Sequence, residues 1–461
     1  MTRRRTDALA GDVRTTVFVL ALPVLMEQFL SFLVGMVDTW LSGRTDAMGD
    51  AGTAATSAVG FASYVGWLAS MLFSFVGTGT TALVARHWGG RDFETANRVA
   101  NRSLALAVIA GAAVYVLVYF AAPLFATLLG LTGETQGIVV RYLRWDAIGY
   151  LFTGVSLIAA AALRGAGDMR TPMAVLGLVS VLNAVLSAAL VFGVGPVPAI
   201  GLNGIVAGTV IARIAGAALM LGVFARGRSG LKLDRREWVP RGEIVRRILR
   251  VGIPAGIDGG LMWIGHFVFL TVIGRLAAGE EQAAIFAAHF AGVRVEAITY
   301  LPAVAYGYAA ATMIGQSLGA RDSARAFRAG REAVWQCSLL ALVISIVFFA
   351  GAEGIYRLMH DDPAVWAVGV PAFRLLAFFQ VPLVMSIIFV HALRGAGDTR
   401  FPMLVTLLSV FGVRLPVAYL AGVVLGGGLF GAWIGMCADV AARALLVAIR
   451  YLRGRWIGTE V

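Results

Sequence analysis

Residues 163–173 read LRGAGDMRTPM and residues 393–403 read LRGAGDTRFPM: nine of eleven positions recur 230 residues apart, half of the 461-residue chain. The same spacing carries Gly89-Gly90-Arg91-Asp92 onto Gly319-Ala320-Arg321-Asp322. Near the start of each half it becomes 231, pairing Pro23 with Pro254, Glu27 with Asp258 and Gly43-Arg44 with Gly274-Arg275. Stacked solenoid repeats return every ~20–50 residues, so a period this long is a duplicated domain.

The duplicated unit is membrane-spanning. From Thr15 to Leu41 the chain is apolar for longer than the ~20 residues a spanning helix needs. The spacing predicts twelve such spans: 15–41, 52–84, 101–122, 137–162, 172–193 and 201–225, then 249–275, 283–317, 332–352, 364–392, 402–424 and 428–449. Charged residues are only 14% of the chain and mean hydropathy is +0.82, against roughly 25% charged in a soluble domain. The opening Arg3-Arg4-Arg5 before an apolar run imitates a signal peptide. The run is too long for one, contains Glu27, Gln28 and Asp38, and is read as a retained first span.

The net charge of +12 is placed as topology places it. With the N-terminus inside, the inner side holds about 28 Lys and Arg, from Arg3, Arg4 and Arg5 through the stretch 226–250 to Arg455. The outer side holds 6: Arg44, Arg141, Arg144, Arg275, Arg357 and Arg374. This positive-inside asymmetry assigns the basic excess to orientation and anionic lipid, and excludes nucleic acid as the partner. Both cysteines, Cys337 and Cys437, fall in spans and imply no disulfide framework and no metal centre.

Each half has an even number of spans, so both enter the membrane from the inside. The expected fold is an all-α membrane protein of twelve helices, in two parallel-repeat six-helix lobes around a central cavity. The lobes are 1–225 and 249–461, and the polar stretch 226–248 is a cytoplasmic linker, with both termini cytoplasmic. Two like bundles suit a transporter, which binds its solute at the repeat interface. Catalytic groups at a recognisable spacing are missing, so an enzyme is not expected. The Gly-x-Gly of the repeated phrase follows no strand and lacks the full phosphate-binding spacing. Its expected role is mechanical: glycines for a tight loop, proline to start the next helix, and Arg and Asp pairing at the cytosolic surface.

Several stretches together resemble the multidrug and toxic compound extrusion (MATE) family. They are LRGAGD-x-R-x-PM after the fourth span of each half, ALPVLMEQFLSFLVGMVDTW in the first span, GTGTTALVARHWGGRD at 77–92, YGYAAATMIGQSLGARD at 306–322 and VGIPAGIDGGL at 251–261. The resemblance covers about Val17 to Arg443. It implies a monomeric antiporter that exports drug-like, cationic or amphipathic small molecules, with protons or sodium ions as coupling ion and no other cofactor. Lipid-flipping relatives share the lobe plan, which makes a lipid or lipid-linked precursor flippase the alternative.

Ionisable groups inside spans are the candidate site. Asp38 lies fifteen residues beyond Pro23, which bends its helix by removing a hydrogen bond. In one MATE subclass the helix-1 acid works with an Asn and an Asp on helix 5 and a Thr on helix 6. The matching positions are Asn183, Ser187 and Thr209, so Ser187 stands where the second acid is expected. Glu27 and Asp258 sit four residues after the candidate hinges Pro23 and Pro254, on the same helix face, for ion binding or for packing between lobes. His266, eight residues past Asp258, is either a coupling group or a plain hydrogen-bond donor. Helix 10 offers Gln380 and His391 but no acid between Arg374 and Asp398, which departs from the sodium-binding members and favours protons. Asp439 and Arg443 have pairing spacing on one helix. Arg294, Glu296, Arg213 and Arg414 are read as structural charges. Tyr64, Trp67, Met71 and Phe75 form one stripe on helix 2. With Tyr300, Tyr306 and Tyr308 on helix 8 and Gln380, they are the expected substrate wall, aromatic faces attracting organic cations.

Overall fold

The computed structural model describes residues 11–44, 52–128, 131–194 and 198–459. Arg3, Arg4 and Arg5 lie outside the described residues. The elements in order are α1 (Val13–Ser42), α2 (Gly52–Gly89), α3 (Phe93–Leu128), α4 (Gly133–Gly165), α5 (Arg170–Phe192) and α6 (Leu202–Ala225), then α7 (Glu243–Ile273), α8 (Glu280–Gly319), α9 (Ser323–Met359), α10 (Pro363–Ala377), α11 (Gln380–Gly395), α12 (Arg400–Ser409), α13 (Leu415–Ala418) and α14 (Gly428–Leu452). No strand occurs among the described residues. Among the described residues, eleven helical stretches are long and apolar enough to cross a membrane, and α10 with α11 make a twelfth, bent by 57°.

The span expected over 364–392 is therefore bent. Pro382 lies in the first turn of α11; it has no N–H and its ring crowds the carbonyl one turn back, so the helix breaks at Phe378–Phe379. The span expected at 402–424 is interrupted as well. Around Pro416 it passes through two π-helical stretches, Val410–Arg414 and Tyr419–Val424. Wide turns of this kind accommodate a residue that cannot join the regular ladder.

The chain gathers into two compact units whose boundaries fall at the two prolines. The first unit runs from Pro23 to Ile253; the second takes residues up to Leu22 together with Pro254 onward. α1 and α7 therefore each change unit at a residue that has already lost a helical hydrogen bond.

In the first unit the apolar core is built on α4, with Phe73 and Ala69 from α2, Val114 from α3 and Val206 from α6. The start of α7 docks on α2 through two glycines. A Cβ at Gly79 would meet Ile248 O at 2.2 Å, and one at Gly252 would meet Phe75 O at 1.6 Å. The linker is stapled to α3: Asn101 Nδ2 donates to Lys232 O (2.8 Å), Lys232 N donates to Asn97 Oδ1 (2.7 Å), and Arg102 pairs with Glu237 at 3.0 Å.

In the second unit α8, α9, α10 and α14 enclose a core around Trp433, Phe373 and Tyr356. The start of α1 belongs here. Arg325 donates to Gly11 O at 3.1 Å and Gln336 donates to Arg14 O at 2.9 Å. Cys337 and Cys437 are both buried and free.

Candidate functional site

The repeated phrase makes the same loop twice. After α4 the chain turns at Gly167 (φ 87°), with Asp168 N donating back to Leu163 O at 2.9 Å. After α11 it turns at Gly397 (φ 92°), with Asp398 N donating to Leu393 O at 2.9 Å. A left-handed residue closed by this six-to-one bond is a glycine helix terminator. The second repeated loop obeys the same geometry with arginine in the left-handed position, Arg91 and Arg321, both at φ 61°.

Within the phrase the glycine after the arginine faces a neighbouring backbone. A Cβ at Gly165 would meet Thr81 O at 2.9 Å, and one at Gly395 would meet Ala311 O at 2.4 Å. The preceding arginine turns inward. Arg164 Nη2 bonds Glu27 Oε1 in a buried pair, and Arg394 Nη2 bonds Asp258 Oδ2 at 2.5 Å. This corrects the expectation that Arg and Asp of the phrase pair with each other at the surface. Asp168 instead accepts from Thr171 N (2.9 Å), Thr171 Oγ1 (2.6 Å) and Ser229 Oγ, and Asp398 takes Arg450 at 2.9 Å. The Arg164–Glu27 and Arg394–Asp258 pairs each lie wholly within one unit. The acid one turn beyond Pro23 and Pro254 is thus tied to its own unit by the arginine of that unit's repeated phrase.

Two polar clusters follow in the first unit. Asn183 Nδ2 donates to Thr209 Oγ1 (3.0 Å), and Ser187 Oγ donates to Asn183 Oδ1 (3.3 Å). Ser187 is fully buried against α6, where a Cβ on Gly208 would stand 2.6 Å from its hydroxyl. Asp38 makes no hydrogen bond to this trio. Its Oδ1 is buried without a partner, and it lies within electrostatic reach of Arg213 and Asp146. Arg213 pairs with Asp146 at 2.7 Å. Asp146 is 3% exposed and escaped the sequence reading, although the rule that flags intramembrane acids applies to it directly.

In the second unit Asp439, wholly buried, is gripped by Arg414 and Arg443, each at 2.5 Å. Pairing of Asp439 with Arg443 follows their spacing; Arg414 arrives from the π-helical turn. Arg294 and Glu296 make no ion pair with each other among the described residues. His266 lies beside a second histidine that the sequence reading also missed, His289, with ring centroids 6.2 Å apart. Trp433 Nε1 donates to His289 Nδ1 at 3.2 Å, which puts the ring proton on Nε2. His391 donates to Ile387 O at 2.9 Å and meets the Tyr308 ring edge-on at 5.3 Å.

The expected substrate wall divides. Tyr64, Trp67 and Tyr300 are about half exposed, at 52%, 53% and 51%, and Met71 is partly buried. Tyr306 is buried. Gln380 is fully buried and donates to Leu376 O across the α10–α11 break at 2.9 Å, so it sits inside the unit and not on an open wall.

Comparison with known proteins places this arrangement. The chain is 30% identical over 446 residues to a probable multidrug resistance protein NorM of Thermotoga maritima, covering 96% of this chain and 93% of that one. It is 26% identical to the multidrug resistance protein PmpM of Pseudomonas aeruginosa, covering 94% and 90%. A solved MOP superfamily transporter from Pyrococcus furiosus superposes with a TM-score of 0.89 over all of both chains at 22% identity. A MATE structure in the bent conformation superposes with a TM-score of 0.87, over 99% of this chain and 97% of that one, at 22% identity. The MatE family model matches twice, over residues 23–189 and 254–420, beginning at Pro23 and at Pro254, and the chain therefore belongs to the MatE family.

Proposed function

We propose that this protein is a secondary active antiporter that exports drug-like, cationic or amphipathic small molecules in exchange for protons by alternating access. It works as a monomer with both termini cytoplasmic, in contact with anionic lipid through its basic inner side. The carrying observation is the hinge arrangement: α1 and α7 pass from one compact unit to the other at Pro23 and Pro254, and a buried acid follows each proline by one turn. A cation arriving at acids on such helices alters what the outer half of the helix bonds to. The half before the proline belongs to the other unit, so the change is passed on. Relatives named as multidrug resistance proteins support the substrate class. Half-exposed Trp67, Tyr64 and Tyr300 supply faces for an organic cation.

The test is Asp38→Asn in liposomes. Substrate-evoked proton movement is lost while the protein stays folded; normal coupled transport by the variant would remove Asp38 from the site.

A further inference from the structure

The first unit buries a pair of charges that the scheme above leaves idle. Arg213 Nη1 donates to Asp146 Oδ1 at 2.7 Å and to the Asp146 carbonyl at 3.3 Å. The other carboxylate oxygen, Oδ2, is buried with no hydrogen bond. The guanidinium reaches this place because residue 149 is glycine: a Cβ there would stand 2.6 Å from Arg213 Nη1 and 2.7 Å from its Cδ. The Tyr150 ring covers it with a 4.8 Å cation–π contact. On α1, Val37 and Leu41 pack into the same cluster as Tyr142, Tyr150 and Val210. Asp38, between them, brings a second buried carboxylate oxygen without a partner into that neighbourhood.

Resting on the antiport reading, we infer that Asp38, Asp146 and Arg213 together form the proton site of the first unit. Asp146 is its second carboxylate and Arg213 the cation the two acids share. With all three ionised the set carries one net negative charge; one proton on a carboxylate oxygen makes it neutral, and its release restores the charge. When Asp38 holds the proton, Arg213 stays on Asp146; when the proton leaves, the guanidinium is drawn toward both. The titratable groups in the surrounding cluster are Tyr142 and Tyr150 from α4 and Tyr115 and Tyr119 from α3, while α2 packs against it through apolar residues such as Val65, Ala69 and Phe73 and brings Gly66 against Tyr150 Oη.

The two partners of the pair carry opposite charges, so their removal acts in opposite directions. In proteoliposome efflux measured against pH, Asp146→Asn moves the midpoint about one unit toward acid. Arg213→Gln moves it about as far toward alkaline, as expected for a charge within ~10 Å at intermediate dielectric. Gly149→Ala, which displaces the guanidinium with no change of charge, moves it the same way as Arg213→Gln. The charge-balanced Asp146→Asn/Arg213→Gln variant serves where a single variant does not fold, and its midpoint returns toward wild type. A purely structural pair would lower yield without opposed shifts. Unchanged midpoints in folded variants, with Asp38→Asn still uncoupled, overturn the inference alone. Proton-coupled export by Asp38→Asn overturns the antiport reading at Asp38 and the inference with it. Dependence of the midpoint on sodium concentration overturns the assignment to protons.

Discussion

Breaking the pair between Asp258 and Arg394 should be costly one residue at a time and cheap when both are changed. The two side chains are 4% and 19% exposed and share one 2.5 Å bond. Asp258 Oδ1 and Arg394 Nε are buried with no partner, so neither group has a second bond to fall back on. Removing one member of such a pair strands the other charge and costs about 3–5 kcal/mol, whereas replacing both costs little. The less exposed carboxylate has less water to turn to, so Arg394→Gln should be worse than Asp258→Asn. Buried Cys337 and Cys437 lie in the same unit and report its opening through a thiol-reactive dye. Where the whole loss falls on unfolding, ~3 kcal/mol accelerates labelling about a hundredfold. The Asp258→Asn/Arg394→Gln protein should label near the wild-type rate. Single changes that are neutral, or a double change as damaging as the sum of the singles, would refute the reasoning, because coupling energy is what the cycle isolates.

Gly252→Ala should destabilise the first unit or prevent its assembly, since the added methyl would lie 1.6 Å from Phe75 O. Gly222→Ala, with nothing within 4 Å, should be neutral or gain up to ~1 kcal/mol from helix propensity, as thermal stability in detergent will report. Pro23→Ala restores the missing helical hydrogen bond and should keep the fold while slowing turnover in transport assays. Trp67→Ala should weaken substrate affinity and leave stability unchanged, because the ring is 53% exposed; an unaltered binding profile would make the α2 stripe packing alone.

Much of the fold was legible because the signals are local. Apolar length located the spans, and the recurrence of Pro23 as Pro254 marked where the compact units meet in the chain. What stayed hidden depends on partners far apart in the chain. Arg164 and Glu27 are separated by 137 residues and Arg213 and Asp146 by 67, and no periodicity connects them. Asp146 and His289 carried a usable signal, an ionisable group inside a span, that aromatic stripes and repeated motifs overshadowed. The break before α11 was also readable: Pro382 stands where a continuous helix would need its N–H. The π-helical turns flanking Pro416 were less so, since proline predicts a disturbance but not how neighbours absorb it. The close approach of Gly208 to the Ser187 hydroxyl was not readable in the sequence.

Export driven by a cation gradient is the central claim, and efflux from proteoliposomes under a proton gradient alone and under a sodium gradient alone tests it most directly. The account predicts uphill export with the proton gradient and none with sodium. Equal substrate release with no gradient of either ion would contradict it.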